Sequence, residues 1–357
     1  MSRLPRNQVL VGDARERLTQ LPEGSVDCVI TSPPYFRLRD YGHAGQLGLE
    51  DSVGAYVTDL VGLCSEAARL LTPTGTLWLN LGDTYSLHAR EGAPRKSLVA
   101  VPERVLLALI VDGWTVRNKI VWAKTNPIPS SVRDRLSCTY EVIYLLARQP
   151  RYYFDLDAVR QPHRSKRGTR PQPRRSARRR ASTRPPARRD PGRPSWRGPN
   201  ADGDQGLTQL RDAGLVGHPL GKNPGDVWRL PASSYRGAHF ATYPEALAAR
   251  MLLAGCPEQR CTTCRAPWTR PVRRLGATAV RLALTVGCNC DSSTEPGLVL
   301  DPFLGAGTTA VAAERHGRDW LGIELNPEYA DLARRRIATE RSKRAEQSSV
   351  RKRKEGE

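Results

Sequence analysis

"VLDPFLGAGTTA", residues Val299 to Ala310, decides the fold class. An apolar run ends at Asp301-Pro302, the chain turns through Gly305 and Gly307, and Thr308 opens a helix-forming stretch. Strand, G-x-G-x-x-A turn and helix in that order bring a ligand close to the backbone and present it with unpaired helix N–H groups. No lysine follows the turn, so it is not a phosphate-gripping Walker loop. The next strand, "DWLGIEL", ends in Glu324, seventeen residues after Gly307. An acid at that place suits the hydroxyls of a ribose. The ligand expected is therefore a nucleoside-containing cofactor, and a nicotinamide dinucleotide and S-adenosylmethionine (SAM) both fit this spacing.

Outward from this unit, strand and helix patterns alternate. "QVLVGD" and "VDCVITS" read as strands around the helix "ARERLTQL". Asp51 to Leu71 places Val53, Tyr56, Val57, Leu60, Leu63 and Cys64 at helical spacing, with "TPTG" ending the helix. "TLWLNLGD", "TVRNKIVWAK" and "YEVIYLLAR" follow as strands, and the apolar "VLLALIV" (Val105 to Val111) reads as a buried helix. A last helix begins with Asn326 as cap and Pro327 at its first position. Such alternation predicts a mostly parallel sheet covered on both faces.

A second motif sits where that sheet would bind ligands. "VDCVITSPPYFRLRDYG" (Val26 to Gly42) runs from a strand into Ser32-Pro33-Pro34-Tyr35. Two prolines cannot continue a ladder, so they stop the strand and leave a stiff corner beyond its carboxyl end.

"TSPPY" and "DPFLGAGTT" together resemble the DNA amino-methyltransferases, and their order here, catalytic motif first, is similar to the permuted β-type arrangement. The resemblance covers most of Gln8 to Ile337, apart from two insertions. It implies a doubly wound, Rossmann-like SAM-dependent methyltransferase sheet, double-stranded DNA as substrate and SAM as methyl donor. The implied catalytic residues are Ser32, Pro33, Pro34 and Tyr35. "VGDARERL" resembles the segment whose acid, Asp13, faces the cofactor adenine, and "HFATYPEAL" (His239 to Leu247) the one that completes the pocket. Cofactor contacts implied this way are Asp13, Thr31, Phe240, Thr242, Asp301, Phe303, Gly305, Gly307, Thr308 and Glu324. Acceptors fixed by the Pro-Pro corner would hold an amino nitrogen whose lone pair is delocalised into its ring, and Tyr35 would stack on the extruded base. A serine in first position is more typical of cytosine-N4 enzymes than of adenine-N6 enzymes. A cognate restriction endonuclease is the further partner such a modification system implies. An RNA amino-methyltransferase, or a non-catalytic DNA-binding protein on the same fold, are the competing readings.

Two insertions interrupt the pattern. His163 to Pro199 holds thirteen Arg, one Lys and one acid, Asp190, so +13 of the net charge of +20 lies there. With few apolar residues it is expected to be a disordered basic arm or linker in a target-recognition region spanning 161–222. Cys261-x-x-Cys264 and, after 23 intervening residues, Cys288-x-Cys290 resemble the knuckles of a zinc ribbon, with Cys256 as a substitute ligand and "VRLALTV" as the strand between. The expected organisation is thus a catalytic half over 1–160, a cofactor half over 223–340 carrying the cysteine insertion at about 256–291, and a charged, frayed tail over 341–357.

The chain of 357 residues is 39% hydrophobic with a sequence pI near 10.1. That charge asks for a polyanionic partner. Its start lacks the apolar core of a signal peptide, and no run reaches the ~20 apolar residues of a membrane span. A cytoplasmic protein with reduced cysteines and no membrane partner is expected, with Cys28, Cys64 and Cys138 in the core.

Overall fold

The computed structural model describes residues 4–43, 45–162, 218–232, 243–275 and 278–355. The basic run His163 to Pro199, and Phe240 and Thr242 of the pocket motif, lie outside the described residues. The chain divides into two compact units; the larger comprises residues 1–159, 224–271 and 282–357.

In the larger unit, strands β1 (Gln8–Val11), β2 (Val26–Thr31), β3 (Leu71–Leu81), β4 (Thr115–Lys124), β5 (Tyr140–Ala147), β6 (Val227–Leu230), β11 (Leu298–Asp301) and β12 (Asp319–Glu324) form one sheet in the order β1-β12-β11-β2-β3-β5-β4-β6. Neighbours from β1 to β3 are parallel, β5 runs antiparallel to both β3 and β4, and β6 is parallel to β4. Strand order reverses between β11 and β2. Their carboxyl ends open the crevice where ligands bind in doubly wound sheets.

The helices are α1 (Ala14–Thr19), α2 (Val53–Leu70), α3 (Val101–Val111), the single turn α4 (Leu156–Val159), α5 (Glu245–Gly255), α6 (Thr308–His316) and α7 (Pro327–Glu355). Successive strand residues serve opposite layers, as the two-residue period requires. Leu77, Leu79 and Leu81 pack with α1 to α3, whereas Trp78 packs with Leu247 and Met251 of α5. All six residues of β2 are buried, which explains a strand read as a continuous apolar run. Helix starts follow the expected chemistry. Ser52 Oγ accepts from Ala55 N (3.2 Å), and Asn326 Oδ1 from Glu328 N (2.8 Å).

Four expectations are corrected. "VLLALIV" forms α3 but buries one side only: Val105 and Leu109 face inward, while Leu107 is 64% and Val111 88% exposed. A helix laid on a sheet covers one stripe. Cys138 is exposed, in the loop between β4 and β5, unlike buried Cys28 and Cys64. The tail does not fray at Arg341, since α7 continues to Glu355. Its residues there include no glycine or proline, and Arg341 pairs with Glu314 of α6 (2.5 Å). The strand expected over "VRLALTV" stops at Arg281. Leu282 N donates to Pro271 O (2.8 Å), but Pro271 has no N–H to return, so the ladder ends.

Of the smaller unit, the described parts are an antiparallel hairpin, β8 (Val272–Leu275) with β9 (Thr278–Arg281), and a bridge between Gln161 and Lys222. Among the described residues no helix is long and apolar enough to cross a membrane.

Candidate active site

At the crossover the ends of β2 and β11 are tied together. Thr31 Oγ1 donates to Asp301 Oδ1 (3.0 Å), and Phe303 N donates to the same oxygen (3.1 Å). Thr309 Oγ1 (2.5 Å) and Tyr243 OH (3.1 Å) donate to Oδ2, so that both hydroxyl protons are spent on the carboxylate. Burial pushes the Asp301 carboxyl above its ordinary range, and these four hydrogen bonds pull it back. Asp301 and Thr31 were expected among the cofactor contacts. Both are buried beneath the turn and spend their polar atoms on protein, so they shape the site from below.

Above them lies a cleft of about 930 Å³, including space open to solvent. Of the residues singled out from sequence, Asp13, Ser32, Pro34, Phe303, Gly305, Thr308 and Glu324 line it together. The turn is built as its pattern requires. Gly305 has φ +51° and Gly307 φ +82°, and a Cβ on Gly307 would lie 3.0 Å from Ala333 Cβ of α7. Gly307 therefore serves helix–helix approach rather than the cleft wall. Glu324 closes the turn: Gly305 N donates to Oε2 (2.7 Å) and Asn326 N to Oε1 (2.9 Å). Burial raises its pKa, and the two N–H bonds oppose that rise. Each oxygen keeps a lone pair for a ligand hydroxyl. Asp13 caps α1 and is gripped by Arg15, whose Nη2 lies 2.6 Å from Oδ2. Burial raises its pKa, but hydrogen bonds and charge from Arg15 leave it below the ordinary value. The wall also includes Tyr243, within the segment expected to complete the pocket, and Asn326, expected only as a helix cap; Tyr41, His43 and Gln46 from the loop after the Pro-Pro corner and Tyr329 of α7 were not foreseen as site residues.

The corner itself is held from several sides. Tyr56 OH donates to Pro34 O (2.9 Å), and buried Phe36 packs on the Tyr56 ring at 5.7 Å. Among the described residues no N–H or O–H donates to the carbonyls of Ser32 or Pro33. The Tyr35 ring lies over Gly82, where a Cβ would come within 2.6 Å of Cε2. Its hydroxyl donates to Glu141 Oε2 (2.6 Å) and lies 3.1 Å from Ser32 Oγ. Burial, and then the charge of Glu141, hold the phenol well above its usual pKa. Asn80 Nδ2 reaches Tyr35 OH (2.8 Å), Glu141 Oε2 (2.8 Å) and Ser32 Oγ (3.2 Å), and Lys124 Nζ bonds Glu141 Oε1 (2.6 Å). Asn80, Gly82, Lys124 and Glu141 carry no local motif and were invisible in the sequence.

A second cluster lies in the cysteine insertion. Short strands β7 (Gln259–Cys261) and β10 (Thr294–Pro296) pair antiparallel, and the sulfurs of Cys261, Cys264, Cys288 and Cys290 all lie within 4.8 Å of one another. The amides of Thr263 and Cys264 both point at Cys261 Sγ (3.4 Å each). Ser292 and these amides lower the Cys261 pKa to about 6, while hydrogen bonding with Cys264 and Cys288 pushes Cys290 up to about 12. Cys256, expected as a substitute ligand, is instead fully buried at the end of α5 against Trp78 and Leu252 of the core. Buried Arg260 anchors the insertion, donating to Asp27 Oδ2 at the start of β2 (2.8 Å).

Comparison with known proteins agrees with this architecture. A profile of N6/N4 methyltransferases, described as DNA methylase, matches residues 26–335. The Type II methyltransferase M.SmaI of Serratia marcescens is 33% identical over 361 aligned residues, spanning 95% of this chain and 94% of that protein. M.Cfr9I of Citrobacter freundii is 32% identical, over 92% of this chain and 87% of that one. Among solved structures, PvuII DNA methyltransferase, titled cytosine-N4-specific, superposes with a TM-score of 0.54 at 18% identity, covering 92% of this chain and 86% of its own. A putative DNA modification methylase of Thermus thermophilus, solved with S-adenosyl-L-methionine, gives a TM-score of 0.51 at 23% identity, covering 94% and 95%. The chain belongs to the N6/N4 DNA methylase family and is a DNA amino-methyltransferase acting on cytosine N4 or adenine N6.

Proposed function

We propose that the protein methylates the N4 amino group of a cytosine turned out of double-stranded DNA, with SAM as donor, as the modification enzyme of a restriction–modification pair. One observation carries this reading: the Ser-Pro-Pro-Tyr corner and the glycine turn meet at one crossover, joined by the 3.0 Å bond from Thr31 to Asp301. The residues present fit the cofactor. Glu324 offers acceptors for ribose hydroxyls, and Phe303, Leu47 and Asp13 give an apolar wall with a polar edge for an adenine. The sulfonium supplies a methyl group that is already strongly electrophilic. Ser32 and the carbonyl of Pro33 then need only hold the amino nitrogen so that its lone pair faces that methyl. Serine rather than aspartate at position 32, a neutral acceptor, favours cytosine.

The same proposal gives the four clustered cysteines a structural zinc. Four sulfurs in a tetrahedral set leave no open coordination position, and N–H bonds to the sulfur of Cys261 stabilise it as a thiolate. The basic run would hold DNA through phosphates. Mass spectrometry of nucleosides from DNA modified by the protein tests the base: N4-methylcytosine is expected. N6-methyladenine would overturn the choice of base, and 5-methylcytosine the whole reading.

A further inference from the structure

The hydrogen-bond network behind the corner has a direction, and Glu141 sets it. An ionised carboxylate only accepts. Tyr35 OH, 2.6 Å from Glu141 Oε2, must therefore spend its single proton there. With that proton committed, the phenol oxygen can only accept, so the 3.1 Å contact with Ser32 is a bond donated by Ser32. Asn80 brings two amide hydrogens to three acceptors, and its 2.8 Å contacts with Tyr35 and Glu141 take both ahead of Ser32 at 3.2 Å. Reversing the amide would put its oxygen against the carboxylate, so this orientation is forced. Lys124 Nζ donates to the other carboxylate oxygen at 2.6 Å, so both oxygens of Glu141 are held as acceptors.

We infer that Glu141 is a positioning residue for methyl transfer: acting through Tyr35, it keeps the Ser32 hydroxyl proton turned away from the cleft, so that Ser32 Oγ meets the target amino group as an acceptor. Ser32 lines the cleft, whereas Glu141 and Asn80 stand behind it. Without the carboxylate, Tyr35 could donate to Ser32 instead, and Ser32 would then point its proton at the nitrogen. A donor aimed there competes for the lone pair that must attack the methyl group. The inference rests on the reading that the amino group is held at this corner.

The test is a double-mutant cycle in turnover, with cofactor affinity measured alongside. Glu141→Gln is isosteric and should lower kcat by roughly 10- to 100-fold while the SAM Kd stays within about twofold. Tyr35→Phe should cost a similar factor. The double variant should be no worse than the poorer single one, because both break the same relay. Ser32→Ala separates the two levels of the argument. If Ser32→Ala lowers kcat but Glu141→Gln does not, the directional role of Glu141 is wrong and the corner stands. If Ser32→Ala leaves kcat unchanged, the reading of the corner fails first. Multiplicative losses in the double variant would also overturn the inference, since Glu141 would then act independently of Tyr35.

Discussion

Thr31 and Asp301, 270 positions apart, share a 3.0 Å hydrogen bond where β2 meets β11, and through it the Pro-Pro corner and the glycine turn are tied together. Asp301 is buried, yet four donors satisfy it. Asp301→Ala should leave Thr31, Thr309 and Tyr243 without their acceptor and destabilise the fold by at least about 2 kcal/mol. Denaturant unfolding measures this. A loss below about 0.5 kcal/mol would mean that the network contributes little to holding the halves together.

Glu324 should carry the ribose. Losing a charge-assisted bond of about 1.5–3 kcal/mol predicts that Glu324→Ala weakens SAM binding by roughly 10- to 100-fold. Because the carboxylate also ties down Gly305 N and Asn326 N, Glu324→Gln is the gentler companion and should fall between wild type and alanine. Calorimetry that finds both variants binding like wild type would remove Glu324 from the cofactor site.

Gly82 should tolerate no side chain. A Cβ there would sit 2.6 Å from Cε2 and 2.8 Å from Cδ2 of Tyr35 and push the ring aside. Gly82→Ala should therefore lower turnover by an order of magnitude or more while the cofactor, held across the cleft, binds as before. Unchanged turnover would show that the ring position is not critical.

These cases separate what the chain discloses locally from what it does not. The Pro-Pro corner and the Gly-x-Gly turn are legible because their chemistry lies within a few consecutive residues. Glu141 and Asn80 meet only because β5 pairs antiparallel with β3, with Val142 opposite Leu81 and Ile143 opposite Asn80. Nothing in "YEVIYLLAR" announces that direction in a sheet otherwise largely parallel. Tyr35 was legible as an aromatic surface, but its hydroxyl's role depends on that same register. Cys138 misled for a related reason: it sits just before an apolar strand but belongs to the exposed loop preceding it.

The cysteine cluster makes a compositional prediction. Purified protein should hold near one equivalent of zinc by elemental analysis, and Cys288→Ser with Cys290→Ser should lose it. Metal-free wild type would sink the assignment; zinc retained by the double variant would show that other residues bind it.

The run His163 to Pro199 should govern salt sensitivity. Each phosphate contact adds about −0.9 to the slope of log affinity against log salt. Deleting the run should flatten the slope by several units while the methylated sequence stays the same. An unaltered slope would leave the run without a role in DNA binding.

The interior position of β2 bears on how the chain is made. Its neighbours are β3, which follows it after α2, and β11, which begins only at Leu298. A ribosome adding roughly 5–20 residues per second would have exposed β2 for many seconds before its second partner emerged. The middle of the sheet is thus zipped shut late, by a strand that emerges only after β3, β4, β5 and β6 have been made. A nascent chain halted shortly before Leu298 should remain protease-sensitive at β2, and release of the remaining residues should convert it to the resistant form.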